Sequence, residues 1–406
     1  MASQTGKNMW VAFYTEGASF NTAPGAGVAA EKLRINPSPG LNLTRATVLP
    51  GEIRSDLQTQ MGRLGSNTVA GSYNCDLSIN SFDSILEAIF RSTWVAAVAI
   101  TQATMTSITT TTSTIVAAAG SWITQGVRVG DIVRLTGHST AANNDINLTV
   151  KTVSALTITV VGTPLTLDAA PDATFTLTIL KKLMNAAVPV RRSFYIDEYN
   201  QDIDMSEVYG GCRFSGFTIR GTPDGMATIE IRVVGASQTA LAAGGTSPYY
   251  TAATLRTDIG LVFVDASIVR NGLTVLSTCT SFELTCDLNA QGLPIIGGTT
   301  TPDVFDNEMT MSGSLSMLRE DLTYITALGA ETEYSLQILL VEPDATDPID
   351  CLNLYLPRIK FTGVDTPLGQ DGGMVQTCPF MVGMQPAVAA SGIDETMMTI
   401  CTETPA

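Results

Sequence analysis

The chain has 406 residues, of which 22 are lysine or arginine and 38 are aspartate or glutamate, so its formal net charge is −16. Charged residues make up only 15% and hydrophobic residues 45%, which excludes a disordered chain and predicts two or three packed domains. The acidic balance argues against an ordinary nucleic-acid-binding protein, and the single histidine argues against His-based acid–base chemistry and multi-His metal sites.

The sequence shows no signal for export or for membrane insertion. No apolar run reaches the roughly 18 residues that span a bilayer, and residues 1–17 lack the pattern of a secretory signal. We therefore expect folding in a cytosol without membrane contact. The seven cysteines form no C-x-x-C pair, so we expect free, buried or partly buried thiols rather than disulfides or a zinc ribbon.

The first predicted elements are two strands joined by a long loop. Asn42–Val48 and Thr68–Asn80 alternate apolar and polar residues in the manner of strands. The connection Leu49–Ser66 is long for a hairpin, and it carries both signs of charge together with apolar side chains that favour contact with a neighbouring subunit. The residues predicted to make this contact are Glu52, Ile53, Arg54, Asp56 and Leu57.

A helix is predicted next, followed by a region unusually rich in threonine. The helix Ser81–Thr93 has an apolar face and a cap at Ser81 or Asp83. Residues 101–180 favour strands, since β-branched residues disfavour helices; a small β domain is predicted there, and a flexible linker is the alternative. The basic pairs Lys181-Lys182 and Arg191-Arg192 at its end are interpreted as a solvated domain junction, and a small contact for an anionic partner is the alternative.

The second half repeats this order of elements. A strand is predicted there at Thr280–Leu288 and a helix at Ser316–Leu328, with Gly329 as its stop. The strands predicted at Phe214–Arg220 and Met226–Val234 precede this half. The segment Asn289–Asp303 is a second long loop, and its Ile295 and Ile296 are the second predicted interface.

Short motifs recur in the same order in both halves, which indicates a duplication. Phe217-Thr218 is followed by T-P, D-G, M and V-G, and the same series follows Phe361-Thr362; Gly71-Ser72 precedes the first helix as Gly313-Ser314 precedes the second. We predict a first unit at 1–95 and 190–245, an inserted domain at 96–189, and a second unit at 246–406.

The sequence contains few residues that indicate catalytic or binding chemistry. No phosphate loop, nucleophile elbow or H-E-x-x-H motif occurs, and His138 is expected in a loop or at the surface. Asp202 and Asp204 would share a face of an extended segment, so a cation site or a carboxylate-based hydrolase is conceivable, although solvated surface is favoured. No cofactor, metal or enzymatic activity is predicted.

Residues 10–95 carry a family resemblance. With Leu33–Leu41, Glu52–Asp56, Gly71-Ser72-Tyr73 and the helix up to Trp94, the sequence resembles the tail tube (major tail) proteins of long-tailed, non-contractile bacteriophages. The resemblance implies a mainly β fold: two tandem β-sandwich units, each with one flanking α-helix, plus the inserted small β domain on the tube exterior. It also implies stacked rings in which the long loops reach the next ring. Because the usual ring holds six single units, three of these chains would form a trimeric, pseudo-sixfold ring.

The resemblance further implies the partners. These are other copies of the chain, a tape-measure protein, tail terminator and distal tail proteins, and double-stranded DNA that passes through an acidic lumen without specific binding. The location would be the virion tail, assembled in the host cytoplasm. The alternative from a different class is a secreted or virion-surface β-sandwich binding module.

Overall fold

The structure is a computed structural model that describes residues 3–403 except 18, 243–246, 257, 343–349, 369–371, 387 and 389–390. It is mainly β, as predicted, with three α-helices among the described residues. The first unit is assembled from chain segments on both sides of an insertion. Its amino-terminal elements are β1 (Met9–Thr15), β2 (Glu31–Leu33), β3 (Gly40–Val48), β4 (Arg63–Asp76) and α1 (Asp83–Phe90).

The inserted domain follows, and then the chain returns to the first unit. The inserted elements are β5 (Val98–Thr101), α2 (Gln102–Met105), β6 (Ile108–Thr110), β7 (Thr114–Ala117), β8 (Ile132–Thr136), β9 (Leu148–Val153), β10 (Thr157–Val160), β11 (Asp168–Asp172), β12 (Thr176–Ile179) and β13 (Lys181–Leu183). The returning strands are β14 (Phe194–Asn200), β15 (Met205–Gly221), β16 (Thr228–Gly235) and β17 (Ser237–Leu241).

The next strand, β18 (Thr254–Leu255), pairs in parallel with β2 of the first unit. The second unit follows, and its elements are β19 (Ala266–Arg270), β20 (Thr274–Val275), β21 (Cys279–Asp287), β22 (Gln291–Gly292), β23 (Val304–Phe305), β24 (Thr310–Leu318), α3 (Thr323–Gly329), β25 (Glu333–Val341), β26 (Cys351–Phe361), β27 (Val375–Val382) and β28 (Thr399–Thr402).

The two units share one topology. In the first unit the antiparallel pairs are β1–β2, β1–β14, β14–β15, β15–β17, β15–β16, β16–β4 and β3–β4. In the second unit the same pairs recur as β19–β20, β19–β25, β25–β26, β26–β28, β26–β27, β27–β24 and β21–β24. The prediction of two tandem β-sandwich units is therefore confirmed.

An irregularity in the strand ladder fixes which residues of the two units are equivalent. The register shifts between Phe194 and Ile196 where β14 meets β15, and between Tyr334 and Leu336 where β25 meets β26. Because both shifts lie at the same place in the topology, Ile196 is equivalent to Leu336, and the equivalence extends along the neighbouring strands.

This register corrects the alignment of the sequence repeat. Phe214 lies opposite Val233 and Phe361 lies opposite Phe380, and these are equivalent pairs. Phe361 therefore occupies the place of Phe214 rather than that of Phe217, with which the F-T motif aligns it. The motif failed because two-letter matches recur by chance, whereas F-x-G is shared at the equivalent positions.

The inner sheets of the two units form one continuous sheet of eight strands. The order is β3-β4-β16-β15 in the first unit and β21-β24-β27-β26 in the second. The units join where β15 pairs with β21, from Gly216 opposite Asp287 to Gly221 opposite Phe282. One face of this sheet covers the core that both units share. Gly71 and Gly313 lie at equivalent places in it, which confirms that part of the repeat.

The helices agree with the predictions only in part. In α1 the predicted apolar face is buried through Ile85, Leu86, Ile89 and Phe90. The predicted cap is wrong, because the helix starts after Phe82 and no side chain caps it. The helix predicted at Ser316 is α3, and it begins at Thr323 because residues up to Leu318 continue β24. It buries Tyr324 and Ala327, whereas Leu322 and Ile325 are exposed.

The inserted domain is a folded body attached to the second unit. Its strands form a sheet in the order β11-β6-β7-β10-β9-β8-β12-β5 around a core that includes Trp122 and Phe175, so the linker alternative is wrong. Its exit strand β13 pairs with β28 of the second unit. Asn353 donates to the Gly130 carbonyl at 2.9 Å, and the insertion thus lies against the outer sheet of the second unit.

Candidate assembly surfaces

The face of the eight-stranded sheet that points away from the core is polar. Along β16 the alternation is regular: Ile229, Ile231 and Val233 are buried, whereas Glu230 and Arg232 point outward. Most other strands repeat this pattern with small polar side chains, so the outward face carries few apolar groups. We call it the polar face; its residues include Asn42, Thr44, Ser72, Asn74, Asp76, Thr218, Arg220, Thr228, Glu230, Arg232, Glu283, Thr285, Asp287, Ser312, Ser314, Ser316 and Thr377.

The arginines of the polar face are held by carboxylates. Arg220 on β15 contacts Glu230 on β16 at 2.9 Å and Glu283 on β21 at 3.3 Å, so it bridges the junction between the units. Arg232 contacts Asp287 at 3.0 Å. The hydrogen bond to Glu230 raises the pKa of the Arg220 guanidinium further above its ordinary value. The polar face therefore offers little uncompensated positive charge. Among its named residues, carboxylates outnumber arginines.

Two edges of the eight-stranded sheet lack a partner strand within the described residues. One is the outer edge of β3, which pairs only with β4. The other follows the end of β26: the ladder with β25 stops at Lys360, and beyond it Thr362 and Asp365 bond only toward β27. These two edges lie at opposite ends of the continuous sheet, which suits closure of several chains into a ring.

The first predicted interface lies on an exposed loop. The β3–β4 hairpin is longer than predicted, because Val48 pairs with Arg63, and the loop is 49–62 rather than 49–66. Ile53 and Leu57 are almost fully exposed, and Glu52 is exposed as well. Arg54 contacts Asp56 at 2.7 Å, and this hydrogen bond lowers the pKa of the Asp56 carboxyl. Further exposed apolar residues of the hairpin, beyond those predicted for this interface, are Val48, Leu49, Met61 and Leu64.

The second predicted interface lies on a loop whose base is ordered. The short hairpin β22–β23 closes the base, and Ile295 and Ile296 at the tip are exposed. Arg213 of the first unit contacts Asp303 at 2.8 Å and Asp306 at 3.3 Å, so the base is fixed to the first unit. These two carboxylates were missed because a sequence does not show which loop meets which strand.

The base of the first loop contacts the second loop. The N–H of Asn67, on the β3–β4 hairpin, donates to the Thr299 carbonyl at 2.7 Å. The tips remain apart from the body of the chain, with their apolar side chains in solvent. The structure therefore presents two neighbouring apolar protrusions on one side of the chain.

The interpretation of the basic pairs as a solvated junction is wrong. Lys182 is buried and contacts Asp131 at 3.2 Å and Asp394 at 3.1 Å, which ties the insertion to the carboxyl-terminal segment. Lys181 contacts Asp83 at 2.6 Å. Arg192 contacts Glu87 and Arg191 contacts Asp303, at 3.2 and 3.4 Å. These four basic side chains are fixed by ion pairs at the domain boundary, and their carboxylate partners lie too far away in the sequence to be recognised there.

Neither the acidic pair nor the histidine forms a reactive site. Asp202 accepts hydrogen bonds from the Thr5 N–H and the Asn8 amide, and these lower the pKa of its carboxyl, whereas a general acid needs a raised one. His138 is in a loop, as predicted, but it is buried rather than on the surface. All seven cysteines are free, and six are buried, as expected. Within the described part of the chain, no group of three or more His, Cys, Asp or Glu residues could hold a metal.

Comparison with known proteins assigns the family. A family model described as phage tail tube protein matches residues 11–190 and again residues 178–382, so it covers most of the chain in two tandem regions. A search of curated proteins found no match. None of the described helices has the length and apolar character needed to cross a bilayer. The resemblance to phage tail tube proteins is confirmed, and this family points to a protein without catalytic activity. The chain belongs to the phage tail tube protein family and is a structural component of the bacteriophage tail.

Proposed function

We propose that three copies of this chain close a ring and that such rings stack into the hollow tube through which a non-contractile tail delivers DNA. The observation that carries this proposal is the continuous eight-stranded inner sheet with an unfilled edge at each end. Three such sheets supply roughly 24 strands, well above the 16–18 that already leave an aqueous channel. The ring would have threefold symmetry and, because each chain contains two units, pseudo-sixfold symmetry.

The polar face would line the channel in this ring. Passing DNA is retained by free Lys and Arg side chains, because contacts to phosphate produce sequence-independent affinity. Here Arg220 and Arg232 are engaged by Glu230, Glu283 and Asp287. A wall of hydroxyl, amide and compensated charged groups would let DNA pass without binding it. The same wall would surround a tape-measure protein before the DNA passes.

The long loops would connect one ring to the next. Ile53 and Leu57 on one loop, and Ile295 and Ile296 on the other, lie in solvent in the isolated chain. Burying such side chains against the adjacent ring contributes about 1.5–3 kcal/mol each. Terminator and distal tail proteins would cover the same surfaces at the two ends of the tube, in a virion assembled in the host cytoplasm.

The inserted domain would lie on the tube exterior. It packs against the outer sheet of the second unit through β13 and β28, on the opposite side of the core from the polar face. The boundaries proposed for the units are 1–95 with 190–245, 96–189, and 246–406.

Electron microscopy of the purified chain tests the proposal. We expect hollow rods at high concentration. End views should show rings with threefold symmetry in which six similar density maxima correspond to the six units. Rings with six whole chains would refute the trimeric arrangement. Dispersed monomers at all concentrations, even with a tape-measure fragment added, would refute self-assembly into a tube.

A further inference from the structure

The open edge of β3 is occupied by side chains from the core of its own unit. The N–H of Leu41 donates to the Glu198 carboxylate at 3.0 Å. The Leu41 carbonyl lies 2.9 Å from the Tyr209 hydroxyl, whose one hydrogen it shares with the Glu207 carboxylate, also at 2.9 Å. The Tyr73 hydroxyl donates to the same carboxylate oxygen at 2.5 Å. Glu198 is only 8% exposed. These polar groups therefore satisfy the main chain at a place where a neighbouring strand would otherwise pair.

The second unit has no such cap at the equivalent place. By the shared register, Tyr73, Glu198 and Tyr209 are replaced there by buried apolar side chains. The sheet edge beside these apolar side chains is the edge of β21, which is already paired with β15 of the first unit. The replacing residues are Leu315, Ile338 and Leu356.

The internal junction shows which main-chain groups the β3 edge offers. Leu41 faces Gly71 as Leu284 faces Gly313, so Leu41 and Leu284 are equivalent. Leu284 lies opposite Ile219 across the junction. The Leu288 N–H donates to Ser215 at 2.8 Å, and since bonded pairs alternate in an antiparallel ladder, Leu284 and Ile219 are a hydrogen-bonded pair too. The groups of Leu41 that are now capped are those that would pair with a strand.

The matching strand is the continuation of β26. Asp365 exchanges main-chain hydrogen bonds with Thr377 of β27 at 2.8 Å, so the N–H and C=O of Val364 and Thr366 point to the opposite side. In the shared register Thr366 occupies the place of Ile219. Copying the internal junction to the contact between two chains sets Thr366 opposite Leu41.

The side chains in this register are complementary. Thr218 and Thr285 lie opposite each other in the internal junction, with their hydroxyl oxygens 3.1 Å apart. The equivalent pair between two chains is Asp365 and Asn42, which joins a carboxylate acceptor to an amide donor on the polar face. Both side chains are exposed in the isolated chain.

We propose that Glu198 and Tyr209 form a displaceable cap on β3, and that residues 363–366 of a second copy of the chain remove this cap when they pair with β3 in the register of the internal junction. The proposal rests on the proposed function, since it supplies the contact that closes the ring. The cap keeps the edge satisfied before assembly, as edge strands otherwise invite uncontrolled pairing. A cavity of about 480 Å³ beside Glu198, lined also by Gly40 and Tyr73, gives the displaced carboxylate room to move.

Disulfide cross-linking tests the register. Under mild oxidation N42C/D365C should give covalent dimers and a closed trimer, because opposite residues in a non-hydrogen-bonded pair approach closely. The control L43C/D365C places the two thiols on opposite faces of the sheet and should not cross-link. T218C/T285C should form the same disulfide within one chain and serves as the positive control.

Hydrogen exchange tests the cap without any variant. In the isolated chain the Leu41 amide should be protected and the Leu43 amide should exchange rapidly, whereas both should be protected in the tube. Y209F should then assemble roughly fivefold faster than the wild type, the ratio that one net hydrogen bond contributes. Y199F is the matched control, because it loses a hydroxyl bonded to Asp204 at 3.0 Å, away from the edge.

The outcomes separate this proposal from the tube itself. Tubes that form while N42C/D365C cross-links no better than L43C/D365C would overturn the register and leave the proposed function intact. Equal exchange at Leu41 and Leu43 in the isolated chain, or Y209F assembling no faster than Y199F, would overturn the cap. Absence of both tubes and cross-links would instead count against the proposed function.

Discussion

The first and second units have the same strand order but differ at one edge. The edge of β21 is covered by β15, and the core behind it is apolar, with Leu315, Ile338 and Leu356. The edge of β3 is open, and the equivalent core positions hold Tyr73, Glu198 and Tyr209. Buried polar groups carry a desolvation cost unless they are bonded. The first unit therefore tolerates polar residues where they satisfy an open edge, and the second unit has no need of them.

The largest effect is expected from proline on the open edge. L43P should abolish tube formation while the isolated chain stays folded, because the Leu43 N–H points away from β4 and proline is tolerated on a free edge. The measurement is sedimentation and electron microscopy of the tube, with circular dichroism for the fold.

The adjacent residue provides the control for this change. The Asn42 N–H points toward β4, so N42P should destabilise the isolated chain itself. Tubes of normal yield from L43P would show that the edge of β3 is not used in the ring, and the contrast between the two units would then have no role in assembly.

The insertion distinguishes the units in a second way, because it is covalently continuous with the first and packs on the second. K182M should remove about 3 kcal/mol from the free energy of unfolding, since it leaves the buried Asp131 and the partly buried Asp394 beside a neutral side chain. Denaturant unfolding measures this loss. R54M, which breaks the exposed pair with Asp56, should leave the unfolding free energy unchanged. Equal effects of K182M and R54M would contradict the role given to the buried cluster.

The two long loops, one in each unit, resemble each other more closely than the edges of β3 and β21 do, because both loops expose apolar side chains. I53S/L57S should raise the concentration needed for tube formation by about tenfold or more, because two apolar side chains lose their burial in the next ring. I295S/I296S should act in the same direction but less strongly, since Ile295 is already half-covered in the isolated chain. Neither change should alter the thermal midpoint. A lowered midpoint would show that these side chains support the fold instead of the contact between rings.

Much of this organisation was accessible from the sequence, and the failures have physical causes. Alternation of apolar and polar residues located β3, β4, β16 and β21, because one face of each strand is buried. The helix at Ser316 was misplaced, since Leu318, Leu322 and Ile325 imitate helical spacing although the first of them ends a strand. Register and pairing across the junction depend on residues far apart in the chain, so no local pattern contained them. The capped edge at Leu41 belongs to this class.

The smallest predicted effect concerns pH and the contact between the insertion and the second unit. Burial raises the pKa of Asp131 from 3.8 to about 6, against the opposing effect of Lys182. The native state thus holds this proton more tightly than the unfolded state, so the carboxyl favours folding below pH 3.8 and loses that contribution as the pH rises through about 6. The unfolding free energy of the wild type, minus that of D131N, should fall across this interval in urea titrations.

A carboxyl of the same domain should behave in the opposite way. Hydrogen bonds from Thr140 and Ser139 lower the pKa of Asp168, so the difference between wild type and D168N should decrease as the pH falls below 3.8. If the D131N difference instead grew with rising pH, the attraction of Lys182 would outweigh burial. The insertion would then be held to the second unit by a net favourable ion pair, and its attachment would strengthen rather than weaken toward neutral pH.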